Sequence, residues 1–311
     1  MSRNSFFKGT VVLALVFLTF SATATERAEF NVASYNLRQL NGDDTKAGNG
    51  WTRRCPIIGQ LVRFHEFDIF GTQEGFKSQL EELKAELPGY DYIGVGREDG
   101  KDAGEHSAIF YRTDMFTLLD HGDFWISETP GKPGLGWDAA CPRICSWGLF
   151  RHNDSGKEFV MFNLHMDHVG KKARVEGAKL VRSRIDGFGK DVPAFVTGDF
   201  NVDQTNPSYR TMTQGDKLLD SYEVAALRYA FNGTFNSYKT DNYTDSRIDH
   251  VFVTPDVKVL KYGVLTDTYR TAESSKRVKA TDAPDEIQVS RYVARTPSDH
   301  FPVMVRVSLS R

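Results

Sequence analysis

Apolar and polar positions alternate along most of this chain with a period of two, broken by a few stretches with a period near four. One block, Val192 to Thr197, is apolar or β-branched at every position, with Pro193 near its start, and runs into Gly198-Asp199. It reads as a strand buried on both faces that delivers the residues after it to one fixed point. Those residues are Asp199, Phe200 and Asn201, and in an extended chain end Asp199 and Asn201 project to the same side. Helical spacing appears in Trp51 to Phe64 (Ile57, Ile58, Leu61, Val62, Phe64) and in Lys77 to Leu87, halted by Pro88-Gly89. It returns in Lys171 to Phe188 (Val175, Ala178, Val181, Ile185), and a short helix is expected near Ser208 to Gly215.

Extended blocks are expected at Phe30 to Leu37, in the stretch FDIFGTQEG, at Tyr90 to Val95, and then in close succession from Glu105. The runs EHSAIFYR, MFTLLDHGDFWIS, RICSWGLFRH and KEFVMFNLHMDH have turn signals but no helix between them, which favours antiparallel neighbours. SRIDHVFVTP and DHFPVMVRVSL close the chain as strands. The polar runs Asn41 to Gly50, Arg97 to Gly104 and Thr129 to Gly136 read as loops, the chain up to Asp245 as irregular, and Thr271 to Glu286 as an insertion or loop. No repeat and no linker divides the chain.

Polar residues collect where these strands end: Asn36, Glu74, Glu105, His165 with Asp167, Asp199 with Asn201, Asp249, and Asp299 with His300. Each alone has an ordinary reading as a turn former, a solvated acid or a strand cap. Together they describe one cleft at one end of a sandwich.

Composition changes this picture in three places. Arg3 and Lys8 precede the apolar run Val11 to Phe20, and Ala22-Thr23-Ala24 has the A-x-A form of a cleavage site. Residues 1–24 are therefore expected to be a secretory signal peptide and residues 25–311 one domain, secreted or periplasmic. Of 39 basic residues, removing Arg3 and Lys8 leaves 37 against 41 acidic, a formal net charge of −4. A nonspecific nucleic-acid binder would carry a broad cationic face, so no extensive basic surface is expected. Cys55, Cys141 and Cys145 are three thiols, so at least one lacks a partner within the chain. Cys141 and Cys145 would pair only if the chain folded back between them.

SYNLR, GTQE, GEHSAIFYR, NLHMDH, GDFN, RIDHVF and SDHFPV resemble, in order and spacing, the motifs of the endonuclease/exonuclease/phosphatase superfamily, the deoxyribonuclease I-like enzymes. The resemblance spans Phe30 to Leu309 and is nearest a secreted bacterial branch close to the deadenylase-like members. It implies an α/β four-layer sandwich: two mainly antiparallel β-sheets packed face to face, with helices on both outer faces. It also implies metal-dependent hydrolysis of a phosphate mono- or diester by in-line attack of water. By motif position, Glu74 would hold Mg²⁺ (or Mn²⁺) with Asn36 and Asp299 beside it. Asp199 would activate the water, and Asn201 and Asn36 would fix phosphate. His300 would pair with Asp249 and His165 with Glu105, each carboxylate favouring the charged imidazole. Arg143 and Asp167 would contact substrate.

The expected partner is a phosphate-ester substrate: nucleic acid, nucleotide or sugar phosphate. A sphingomyelinase-like phospholipid phosphodiesterase is the alternative, and a binding module that has lost catalysis a further one. The loops NGDDTKAGNG and TPGKPGLGWDAA are polar apart from Leu135 and Trp137, which argues against membrane insertion. A monomer is expected.

Overall fold

The computed structural model describes residues 27–189 and 191–309; the expected signal peptide lies outside them. In chain order the elements are β1 (Ala28–Asn36), α1 (Gly42–Lys46), α2 (Trp51–Phe64), β2 (Ile69–Gln73), α3 (Lys77–Glu86), β3 (Tyr90–Ile93), β4 (Ile109–Arg112) and β5 (Phe116–Trp125). Next come β6 (Ile144–His152), β7 (Glu158–His165), α4 (Lys171–Asp186), β8 (Ala194–Asp199), α5 (Pro207–Thr213), β9 (Leu219–Asp220), α6 (Ser221–Val224) and β10 (Leu227–Tyr229). The last are β11 (Asp249–Val253), β12 (Val257–Val264), β13 (Tyr269–Lys279), β14 (Gln288–Arg295) and β15 (Val303–Leu309).

A seven-stranded sheet runs β10-β12-β15-β1-β2-β4-β3 and a six-stranded one β5-β6-β7-β8-β11-β9. Most neighbours are antiparallel, but β1–β2, β7–β8 and β10–β12 are parallel. The period-two alternation builds the layers. On β1, Phe30 and Val32 face the second sheet while Ala33 and Tyr35 face α2 and α3. On β7, Phe159 and Met161 face the first sheet while Val160, Phe162 and Leu164 lie under α4 and α5. The expected four-layer sandwich is therefore the observed one.

Along each central strand the inward face changes from apolar to polar toward one end. β1 presents Phe30, Val32, Ser34 and Asn36; β7 presents Phe159, Met161, Asn163 and His165; β8 presents Phe195, Thr197 and Asp199. β11, antiparallel to β8, presents Asp249 before Val251 and Val253. The transition passes through Asn163, a buried amide whose Nδ2 donates to the carbonyls of Thr72 (2.8 Å) and Ala108 (3.0 Å). Its Oδ1 accepts from Gln73 Nε2 (2.7 Å) and Thr197 Oγ1 (3.0 Å). A fully satisfied polar group ties the two sheets together at this depth without an uncompensated desolvation cost. Gly71 makes room for it, since a Cβ there would lie 2.1 Å from Asn163 Oδ1.

A second staple is Arg54 on α2, with no exposed surface. It donates to the carbonyls of Asn49 (2.8 Å), Leu37 (2.6 Å), Pro297 (3.0 Å) and Arg38 (3.1 Å). One guanidinium thus fixes the segment after β1 against the segment that leads into Asp299 and His300.

Three expectations need correction. Thr271 to Glu286 is not a loop: its first nine residues complete β13, which pairs with β14 in a separate antiparallel ribbon closed by a turn. Its sequence is polar because most of the ribbon's described side chains are exposed, so no apolar alternation marks it. The polar run Asn41 to Gly50 contains α1, capped by the Asn41 side chain, which accepts from Asp44 N–H. The irregular stretch holds β9, α6 and β10, elements of two to four residues. β12 is a further strand that the pattern did not reveal, although Val257, Val259, Tyr262 and Val264 are buried in its core. All three cysteines are unpaired.

Candidate active site

The polar ends of β1, β2, β7, β8 and β11 meet the segment before β15 at one end of the sandwich. Asn36, fully buried, links the two sheets directly. Its Nδ2 donates to Glu74 Oε1 (3.0 Å) on the first-sheet side and to Asp199 Oδ2 (3.1 Å) on the second. Glu74 and Asn201 both hold left-handed backbone, φ 65° and 50°. Strain of this kind in ordinary residues is held by the surrounding structure and concentrates at functional sites. Glu74 Oε2 accepts from the Gln39 N–H at 3.1 Å.

Asp199 is the centre of the cluster. Its Oδ1 accepts from the Asn201 N–H (2.8 Å). Its Oδ2 lies 3.4 Å from His165 Nε2 and 3.8 Å from His300 Nε2. Burial first, and the neighbouring Asp249 charge second, raise Asp199 to about 7, against the pull of His300 and the Asn201 N–H. A carboxylate poised there can accept a proton near neutral pH.

The two histidines differ. His300 Nδ1 is 2.8 Å from Asp249 Oδ2, as expected. Burial would lower its pKa, but Asp249, with Asp199 and Asp299 behind it, holds it well above that of a free imidazole. The expected His165–Glu105 pair is not a hydrogen bond: the atoms are 3.8 Å apart, and Glu105 is taken by Arg97. Burial, followed by the Arg143 and Arg97 charges, pushes His165 well below a free imidazole. This environment disfavours the charged ring that was expected. Its Nε2 faces Asn201 Nδ2 at 3.0 Å, and Asn201 also donates to the Met166 carbonyl (3.0 Å).

Two expected contact residues have structural duties. Asp167 accepts from the N–H groups of Val169 (3.0 Å) and Gly170 (2.7 Å), opening α4. Burial opposes its ionisation, but these bonds, one from Ala140 and the Arg143 charge hold it far below the usual carboxylate range. It also holds Arg143 Nε at 3.2 Å and so positions the arginine. Arg143 Nη2 faces His168 Nδ1 at 3.0 Å, and Nη1 has no partner among the described residues. Cys141, Asp167 and His168 also lie together. The guanidinium between Asp167 and His168 makes that cluster unsuited to a cation.

For a metal, the ligand atoms that converge within 4.8 Å of one another come from Glu74, Asp199 and His300. His300 Nδ1 already faces Asp249, and of this trio the hard carboxylate oxygens of Glu74 suit a divalent cation of the Mg²⁺ type. Asp299 is displaced from this trio, its Oδ2 3.7 Å from Arg38 Nη1. Arg97 and Arg38 were not singled out in the sequence. Arg97 sits in a charged loop without periodicity, and nothing local distinguishes it from solvated surface.

A buried acid near neutrality, an imidazolium fixed by a second carboxylate, and an adjoining carboxylate able to take a cation define a hydrolytic site for phosphoric esters. The chain belongs to the endonuclease/exonuclease/phosphatase family, whose model matches residues 31–300. An endonuclease/exonuclease/phosphatase family protein from Bacteroides thetaiotaomicron is 56% identical, with a TM-score of 0.85 over 91% of this chain and 98% of that one. A mannosyl-6-phosphatase from the same organism is 57% identical, with a TM-score of 0.83 over 89% of this chain and 99% of that one. Drosophila melanogaster nocturnin is 24% identical over 61% of this chain but only 30% of its own length. The human nocturnin catalytic domain, 14% identical with a TM-score of 0.59 over 92% of this chain and 99% of that one, shares the fold.

Proposed function

We propose that this chain is an exported, divalent-metal-dependent phosphatase that hydrolyses the phosphate monoester of a sugar phosphate. The observation that carries the substrate class is the 57% identity to a protein named mannosyl-6-phosphatase over nearly the whole fold. The geometry supports the chemistry. Asp199 accepts the proton of the attacking water, whose oxygen bonds to phosphorus as the bond to the sugar oxygen breaks, and the departing sugar oxygen takes a proton from solvent. Asn201 orients the water. His300, kept protonated by Asp249, donates from Nε2 to a phosphoryl oxygen. Glu74, steadied by Asn36, would hold Mg²⁺ or Mn²⁺, which would neutralise phosphoryl charge.

The test is turnover of a panel comprising mannose 6-phosphate, other hexose phosphates, nucleotides, a phosphodiester and sphingomyelin, with Mg²⁺ and with EDTA. Hexose phosphates are expected to be the best substrates, and chelator to abolish the rate. Glu74→Gln is expected to raise the Mg²⁺ concentration needed for half-maximal rate. Full turnover in excess EDTA, or preference for a nucleotide or lipid, would overturn the reading. Export rests on the leader-like residues 1–24. Mass spectrometry of the native protein is expected to find a chain beginning near Thr25, and an intact Met1 would refute it.

A further inference from the structure

The hollows on the described surface have linings that differ in kind. One carries Asp123 and Arg184, a second Arg182, Asp186, Lys217 and Asp256, and a third Arg63, His65 and Asp267. Another, a cavity of about 280 Å³, has no charged side chain in its lining. It is formed by Tyr229, Phe231, Asn232, Thr240, Asn242, Thr266 and Thr268, together with Val264 and Phe301. Its rings are unusually open: Tyr229 is 67% exposed and Phe231 81%, set edge to face with centroids 5.5 Å apart. Among the described residues, no side chain or backbone group engages the Thr240 and Thr266 hydroxyls.

Register places this cavity at the reaction end of the sandwich. Tyr229 pairs with Gly263 at the end of β12, and Val264 pairs with Val303, three residues beyond His300. The segment that supplies Phe231, Asn232, Thr240 and Asn242 also carries Phe235. Phe235 bridges to His300 and sets its ring edge-on to that imidazole at 5.1 Å. One stretch of chain therefore runs from the cavity to the phosphate-binding histidine. Its shape is fixed by Asn236, which accepts from the Tyr238 N–H (2.8 Å) and donates from Nδ2 to the Ser298 carbonyl (3.1 Å).

Open aromatic faces beside amides and free hydroxyls, without charge, suit a ligand that is neutral, rich in hydroxyl groups and flat on one C–H face. That is a sugar ring. A nucleotide or anionic lipid headgroup would call for cations in the lining, whereas the guanidinium of Arg270 is turned onto the Thr268 hydroxyl (2.7 Å). Resting on the sugar-phosphate reading, we propose that this cavity binds a second, unphosphorylated sugar joined to the phosphorylated one, so that the enzyme takes phosphosugars within a longer glycan. Phe231 and Tyr229 cover the ring, and Asn232, Thr240 and Asn242 hydrogen-bond its hydroxyls.

The experiment compares kcat/KM for mannose 6-phosphate with that for mannobioses phosphorylated on the 6-hydroxyl of the terminal residue. Wild type is expected to favour a phosphorylated mannobiose by tenfold or more, and Phe231→Ala and Asn242→Ala each to shrink that ratio several-fold. Both side chains are exposed and Asn242 gives up only a long bond to the Asn236 carbonyl (3.4 Å), so neither change threatens folding. A wild-type ratio near one for every linkage, or a ratio that both variants leave intact, would overturn the inference. Calorimetry with unphosphorylated mannobiose separates the two readings. If no sugar phosphate is hydrolysed yet mannobiose binds and Phe231→Ala abolishes binding, the phosphatase reading falls and the sugar site stands. If sugar phosphates are hydrolysed but mannobiose leaves no heat, the sugar site falls alone.

Discussion

At the scale of single residues, the Asp249–His300 pair does what neither group does alone. Replacing His300 with Ala or Asp249 with Asn is expected to lower kcat by about 10²-fold, the usual loss for a positioned proton donor or electrostatic stabiliser. Because the pair acts as a unit, the double variant should fall little below the worse single one. The pH profile gives a second reading. Asp199 must be deprotonated, so the rate should rise as pH climbs through about 7. His300 must be protonated, so the rate should fall as pH climbs through its raised pKa, and Asp249→Asn should bring that fall to lower pH. A profile unmoved by Asp249→Asn would separate Asp249 from the imidazole. This pair was legible in the sequence because both members sit at strand ends inside recognisable motifs. The His165–Glu105 pairing was misread because its competitor, Arg97, comes from a loop whose charges carry no positional signal.

Among elements, the strands that converge on the site were easier to read than the segments that join them. β7 and β8 are buried on both faces and announce themselves as apolar runs; the β13–β14 ribbon, mostly exposed, has a sequence that reads as loop. Equally hidden were the two staples, because a lone Asn in a strand and a lone Arg in a helix have no pattern. Arg54→Met would strand four carbonyls that now accept from the guanidinium. The expected cost is on the order of 3 kcal/mol, from unmet buried acceptors, or roughly 5–10 °C in Tm for a chain of this size. Gly71→Ala is expected to cost a similar amount by driving a methyl group into Asn163. A melt unchanged by either substitution would show that the segment after β1 and the segment before β15, or the two sheets, are held by other means.

For the molecule as a whole, the family and the four layers were readable from strand ends and alternation, whereas the cavity proposed to take the second sugar draws on the stretch between Leu227 and Asn242, which carries almost no periodicity. The last consequence concerns the seam itself. Glu74 belongs to one sheet and Asp199 to the other, and the two hydrogens of one amide, Asn36 Nδ2, span the gap with bonds of 3.0 and 3.1 Å. The catalyst is therefore a gauge of the spacing between two slabs. A displacement of about 1 Å is tolerable to a hydrophobic interface but costs about 10²-fold in a reaction that depends on alignment. On heating, the slabs should begin to breathe before the strands separate, and the enzyme should fade before it melts. Its activity midpoint is expected several degrees below the loss of β-sheet signal by circular dichroism; coincident curves would mean that the seam holds its width until the fold itself gives way.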